Sequence, residues 1–239
     1  MTRKTLLSWS SGKDSAWALQ ILRGTPDVEV VGLMTTMNEA HQRVAIHAVR
    51  LELLQRQAEA LGLPVQVIDL PSPCTNAQYE AAMGEFVGES KRRGIECMAF
   101  GDLFLADIKE YRETKLAGTG ITPLFPLWLA PTDRLAREMI SSGLRAIVTC
   151  VDPQQVPLSF AGREFNEQFL ADLPDHVDPC GERGEFHTFA FDGPMFEKPV
   201  EFQKGVVVER DGFGYADLLP AGDFSVRLGE QPLGRLKPH

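Results

Sequence analysis

Short apolar, β-branched runs alternate with amphipathic stretches up to about residue 151, and few folds accept that rhythm. The pattern predicts strands at 5–9, 28–35, 65–70, 97–101 and 146–151. Helices are predicted at 13–23, 41–61, 76–93, 106–117 and 133–142, with stop signals at Gly24, Gly62 with Pro64, Gly94, Gly118 and Gly143. Strands joined through helices pair in parallel by right-handed crossovers. The expected fold class is therefore α/β: a parallel five-stranded sheet with helices on both faces. Ligands of such sheets bind beyond the carboxyl ends of the strands, where strand order reverses. The segments 10–15, 34–36 and 101–102 fall at such ends.

Past Asp152-Pro153 the character changes. A helix is expected at 163–171 and strands at 186–191, 205–210 and 213–218, the last two joined by a hairpin at Asp211-Gly212. This divides the chain into a nucleotide-binding domain at 1–152, a small α+β domain at 153–220 and a loosely held tail at 221–239. Three prolines among large apolar residues at 122–131 suggest an extended, buried connector rather than a helix.

The segment from Ser10 to Ser15, Ser-Ser-Gly-Lys-Asp-Ser, carries the chemistry. An apolar strand enters the turn and a helix leaves it, so unpaired first-turn N–H groups and the positive end of the helix dipole meet there. That is an anion site. Ser10, Ser11 and Ser15 add hydroxyls, Gly12 permits close backbone approach and Lys13 adds a cation. Asp14, a carboxylate among phosphate-binding groups, suits a magnesium ligand. The segment is not a Walker A loop, because Asp14 follows Gly12-Lys13 and no glycine lies five positions before Gly12. Met34, Thr35 and Gly101, at neighbouring strand ends, are the expected flanks for adenosine.

Two later constellations join it. Asp102 follows a strand end, and the next helix bears Lys109, Arg112 and Lys115. Arg112 suits a phosphate or carboxylate if it faces the cleft, whereas Lys109 and Glu113 fit a solvent-facing ion pair. The loop 178–187 packs Cys180, Glu182, Glu185 and His187 between glycines and aromatics. His187 is a candidate general base or a strand histidine, and Glu182 and Glu185 are candidate partners of magnesium or an amine. His47, beside Arg43 and Arg50, reads as structural or solvent-facing.

Composition excludes several classes. Hydrophobic residues at 44% and charged residues at 24% describe a soluble globular chain. No apolar run reaches the ~20 residues of a membrane helix, and Met-Thr-Arg-Lys precedes no signal-peptide core, so a cytoplasmic protein is expected. Cys74, Cys97, Cys150 and Cys180 form no Cys-x-x-Cys pair, which points to reduced thiols rather than zinc. Cys97 and Cys150 lie in predicted strands as core residues. A net charge of −9 disfavours a nucleic-acid surface. The basic run Lys91-Arg92-Arg93 complements the dipole at a helix C-terminus.

The 10–15 segment resembles the Ser-Gly-Gly-x-Asp-Ser PP-loop of the ATP pyrophosphatases, with Ser11 replacing the first glycine. With Gly184-Glu185-Phe186 and the Asp102 segment, residues 4–220 resemble the diphthine–ammonia ligase family of the adenine nucleotide α-hydrolase (HUP-like) fold. The resemblance implies ATP and magnesium, an adenylated acceptor carboxylate with release of pyrophosphate, and displacement of AMP by ammonia or another amine. Lys13, Asp102, Arg112, Glu182, Glu185 and His187 are the expected catalytic residues. His187 stands where diphthamide-making members look acidic, a departure similar to the bacterial branch, so the acceptor stays open. A homodimer also stays open. A non-catalytic ATP sensor and an RNA-thiolating PP-loop enzyme are the alternatives. The acidic charge and absent Cys-x-x-Cys weigh against the latter.

Overall fold

The computed structural model describes residues 2–38, 43–44, 49–71 and 73–222. His47, with residues 41–42 and 45–48 of the helix expected at 41–61, and the tail beyond 222 lie outside them; the described helix begins at Leu51, and Arg43–Val44 is strand. Arg3–Ser8 (β1) runs through a turn into Lys13–Arg23 (α1), and Val28–Asn38 (β2) follows. Next come Arg43–Val44 (β3), Leu51–Ala60 (α2), Val65–Leu70 (β4) and Asn76–Arg92 (α3). Cys97–Ala99 (β5), Ala106–Leu116 (α4) and Thr122–Leu124 (β6) complete the first unit. Thr132–Ser141 (α5), Arg145–Val151 (β7), Glu167–Asp172 (α6), Phe186–Asp192 (β8), Phe202–Arg210 (β9) and Phe213–Pro220 (β10) follow.

Five parallel strands lie in the order β4-β2-β1-β5-β6, and β3 adds antiparallel to the end of β2. The chain lays β2 and β4 on one side of β1, then β5 and β6 on the other. The order therefore reverses between β1 and β5, and the segments after these strands share the ligand crevice expected there. Both faces of the sheet are covered, as a parallel sheet requires. Leu7 of β1 and Ala99 of β5 join α1, α2 and the second sheet in the larger core. Their neighbours Leu6, Met98 and Phe100 pack with Val87 of α3 and Leu116 of α4 on the other face.

A separate antiparallel sheet has the order β8-β7-β10-β9. Two expectations are corrected here. The strand at 146–151 is β7 of this second sheet, and the fifth parallel strand is β6, inside the proline-rich connector. Proline lacks an N–H, and β6 accommodates Pro123 because it is an edge strand that, among the described residues, pairs only with β5. The helix expected from 163 begins at Glu167 instead. Before it, the chain is extended: Val148 N–H donates to Arg163 O at 2.9 Å, and Phe165 N–H to Ala146 O at 2.8 Å. Asn166 then caps the helix, its side chain accepting from Phe169 N–H at 2.9 Å. The β9–β10 hairpin turns at Asp211-Gly212 with φ of 53° and 83°, as the sequence predicts.

Cys97, Cys150 and Cys180 are buried and all four cysteines are free. Among the described residues, no helix is long and apolar enough to cross a membrane.

Candidate functional site

Beyond the carboxyl ends of β1 and β5 lies a polar cavity of about 190 Å³. Ser8, Ser10, Lys13, Asp14 and Ser15 line it from the first strand–turn–helix, and Gly101, Asp102 and Arg112 from β5 and α4. Gly181, Glu182, Phe186, His187 and Thr188 close it from the loop that ends in β8. All three sequence constellations thus meet in one place. Gly101 is needed for that meeting: a Cβ there would lie 3.1–3.2 Å from backbone atoms of Asp14 and Ser15.

The turn differs from expectation at its centre. Gly12, the helix N-cap, is extended with φ −87°, while Ser11 takes the left-handed conformation with φ 69°. Ser11 is fully buried, and its Oγ has no hydrogen-bond partner among the described residues. The glycine that the PP-loop pattern places at this position would adopt that φ without a steric cost. Ser15 Oγ donates to Gly12 O at 2.9 Å, and the Ser10 and Ser15 hydroxyls lie 3.2 Å apart.

Partners remote in sequence fix the turn. Thr188 Oγ1 accepts from Lys13 N–H at 3.0 Å, so one first-turn amide is already engaged. Gln57 of α2, fully buried, donates to Ser11 O at 3.0 Å and to Ala190 O at 2.6 Å. Its Oε1 accepts from Trp9 Nε1–H at 3.0 Å. Ala190 N–H also donates to Ser11 O, at 2.8 Å. Gln57 and Thr188 therefore brace the loop between α2 and β8. Sequence reasoning missed both, since a buried glutamine or strand threonine carries no motif.

Lys13 is 2% exposed. Its Nζ lies 2.8 Å from Asp14 Oδ2, donates to Cys180 O, and sits over the rings of Phe165 and Phe186 at 5.6 and 5.4 Å. Burial opposes the ammonium most strongly, but Asp14, Cys180 and Glu182 together hold Lys13 above its ordinary value. Lys13 thus spans from the first-turn helix to the closing loop. Cys180 is itself buried, and burial pushes its thiol up, so its contribution here is its carbonyl.

Arg112 binds Asp102 through two parallel bonds, Nε to Oδ2 at 2.6 Å and Nη2 to Oδ1 at 3.0 Å. Its guanidinium stacks 4.3 Å from the Phe100 ring centre. The fork is thereby held rigid at the cavity wall. Lys109 of the same helix pairs with Glu113 instead, and Lys115 with Glu80 at 2.7 Å.

The closing loop is braced internally. Glu185, 1% exposed, accepts from Asp178 N–H at 3.0 Å and Arg183 N–H at 2.8 Å. It therefore shapes the loop and does not line the cavity. Asp178 accepts from Cys180 N–H at 2.9 Å and from Thr132 Oγ1 at 2.7 Å. Gly181 has φ 70°, and a Cβ there would lie 2.8 Å from Phe186 O. Glu182 Oε1 accepts from Leu103 N–H at 2.8 Å, tying this loop to the segment after β5. Burial, with the Asp14 carboxylate nearby, pushes Glu182 up to about 7, against the effect of that bond. His187 lines the cavity from β8. Met34 and Thr35 do not line it: β2 continues to Asn38, and both are buried in pairing with β4.

Among the described residues, no cluster of three or more His, Cys, Asp or Glu side chains could hold a metal alone. Magnesium carried on phosphate oxygens needs only one or two carboxylates, and Asp14 and Glu182 are the candidates at the cavity.

The fold and site define an α/β protein with a strand–turn–helix anion loop at the switch point of a parallel sheet, closed by a loop from a second sheet. Two family models match the chain: the diphthamide synthase N-terminal domain over residues 3–121 and the diphthamide synthase C-terminal domain over 131–218. Curated relatives named diphthine–ammonia ligase are similar over most of the chain. The Bos taurus protein is 27% and the Homo sapiens protein 28% identical, each over 87% of this chain and 85% of its own. The Rattus norvegicus protein is 29% identical over 85% of each. The chain belongs to the diphthine–ammonia ligase family.

Proposed function

We propose that the protein is an ATP-dependent ligase that adenylates an acceptor carboxylate, releases pyrophosphate, and forms an amide with ammonia or an amine while releasing AMP. The observation that carries this reading is the single cavity shared by the 10–15 turn, the Asp102–Arg112 pair and the Glu182–His187 loop. Ser10, Ser15 and the first turn of α1 supply donors to a triphosphate tail, at the positive end of the helix. Asp14 would hold magnesium, which when bound neutralises charge on the departing pyrophosphate. Lys13 adds a fixed ammonium at the same wall. The acceptor oxygen forms a bond to the α-phosphorus as the bond to pyrophosphate breaks. The amine then bonds to the acyl carbon, AMP leaves with the bonding electrons, and the amine proton passes to a base. Glu182, titrating at about 7, and His187 are the bases within the cavity. Positioning and charge stabilisation supply the rate.

Incubation with ATP, magnesium, ammonia and a panel of carboxylic acids tests the reading through its nucleotide products. AMP and pyrophosphate in equal amounts are expected; ADP with phosphate would refute the reaction class. Replacement Lys13→Ala is expected to lower turnover by ~10²-fold or more.

A further inference from the structure

A second, larger cavity of about 370 Å³ opens between α3 and α4, against the β5 side of the parallel sheet. Met83 and Val87 of α3, Phe100 after β5 and Tyr111 of α4 give it an apolar body. Arg112 lines this cavity and the polar cavity alike, so its guanidinium stands on their common wall. Two of its nitrogens bind Asp102, while Nη1 makes no hydrogen bond among the described residues. Of the charges around the larger cavity, Lys115 pairs with Glu80 and Arg112 with Asp102, while Lys91 has no carboxylate partner among the described residues and donates to Gly120 O at 2.8 Å. Arg112 Nη1 and the Lys91 ammonium are the cationic groups that remain to meet an anion. Two glycines of α3, Gly84 and Gly88, face the space, and a Cβ added at Gly84 would meet nothing within 4 Å. Glycine is costly within a helix, so its presence keeps this volume open where a longer side chain would fill it.

We propose that this cavity binds the body of the acceptor: a small carboxylic acid with an aromatic or branched aliphatic group. Its carboxylate meets Arg112, the residue that this cavity shares with the polar one. The proposal rests on the reading that the protein adenylates a carboxylate, and it names the class of acid. A neutral purine would gain little from Lys91 and Arg112 Nη1, whereas an apolar acid uses both these groups and the lining.

The test uses calorimetric titration of the full chain with 3-phenylpropanoate, 4-methylpentanoate and indole-3-acetate, and with 3-phenylpropan-1-ol as the uncharged counterpart. Replacement Gly84→Leu puts an apolar side chain into the cavity from a position where an added Cβ meets nothing within 4 Å, and Gly84→Ala serves as a control for the helix. The expected result is binding of at least one acid to the wild-type chain and to Gly84→Ala, with at least ten-fold weaker binding to Gly84→Leu. The alcohol should bind at least ten-fold more weakly than its acid, and ATP affinity should be the same in all three proteins. Failure of every acid to bind, or equal binding to Gly84→Leu, overturns the proposal. A fall in ATP affinity in Gly84→Leu also overturns it, by assigning the cavity to the nucleobase. If the acid binds as expected but yields no AMP with ATP and ammonia, the cavity assignment stands and the ligase reading fails.

Discussion

Glu182 makes folding stability depend on pH in an unusual direction, and replacement Glu182→Gln isolates the effect. Its carboxyl moves from an ordinary value of 4.5 to about 7 in the folded protein because burial disfavours the anion. Below pH 4.5 the group is protonated in both the folded and the unfolded chain and contributes nothing. Between 4.5 and about 7 the unfolded chain ionises first, so the folded chain holds more protons and stability falls as pH rises. Above about 7 the penalty is complete. The gap between 4.5 and about 7, at ~1.4 kcal/mol per pH unit, amounts to about 3 kcal/mol. Glutamine stays neutral, keeps the shape and still accepts the bond from Leu103 N–H. Urea unfolding at pH 4.5, 6 and 8 should show the variant gaining nothing at the lowest pH and about 3 kcal/mol at the highest. Other titrating groups cancel in the difference between the two proteins. A difference that stays constant across that range would refute the burial argument. If Glu182 also serves as a base, the stabilised variant should turn over more slowly, since strained groups at active sites trade stability for chemistry.

Three further replacements probe the framework of the site. Ser11→Gly removes a left-handed serine whose φ is 69° and whose buried hydroxyl lacks a partner; after the entropic cost of glycine, a gain of ~0.5–1 kcal/mol is expected, read as a shift in urea midpoint at constant slope. Gln57→Leu leaves the Trp9 indole N–H and Ala190 O without their buried partner, and should cost about 2–4 kcal/mol in the same measurement. Arg112→Lys replaces the two-pronged bond to Asp102 and the stacking on Phe100 with a single flexible charge. Steady-state kinetics should show kcat/KM for the acceptor falling by ~10-fold or more while thermal stability changes little.

What was legible in the sequence was what neighbouring residues encode. The helix expected at 13–23 is α1 to the residue, because an apolar strand, a polar turn and Gly24 mark its limits locally. The strand at 146–151 was equally visible as a strand. Which sheet it joins was not, since periodicity records that a strand is buried and not what it pairs with. The fifth parallel strand was hidden by Pro123, a residue that argues against a central strand and says nothing about an edge. The sequence proposes Ser10, Lys13, Asp14, Asp102, Arg112, Glu182 and His187 for the site, and the structure brings them to one cavity. Their supports were not found. Thr188 holds the Lys13 amide from 175 residues away, and Gln57 holds Ser11 from 46 away.

Those distances change what the turn is. A strand–turn–helix alone offers its first-turn amides to an anion. Here the second sheet occupies one of those amides through Thr188, and the Cys180 carbonyl holds the Lys13 ammonium. The anion loop is therefore completed by the far end of the chain. Its geometry is coupled to the 178–187 loop through Lys13 and to the segment after β5 through Glu182. A change that loosens the second sheet should thus degrade nucleotide binding without touching a phosphate-binding residue.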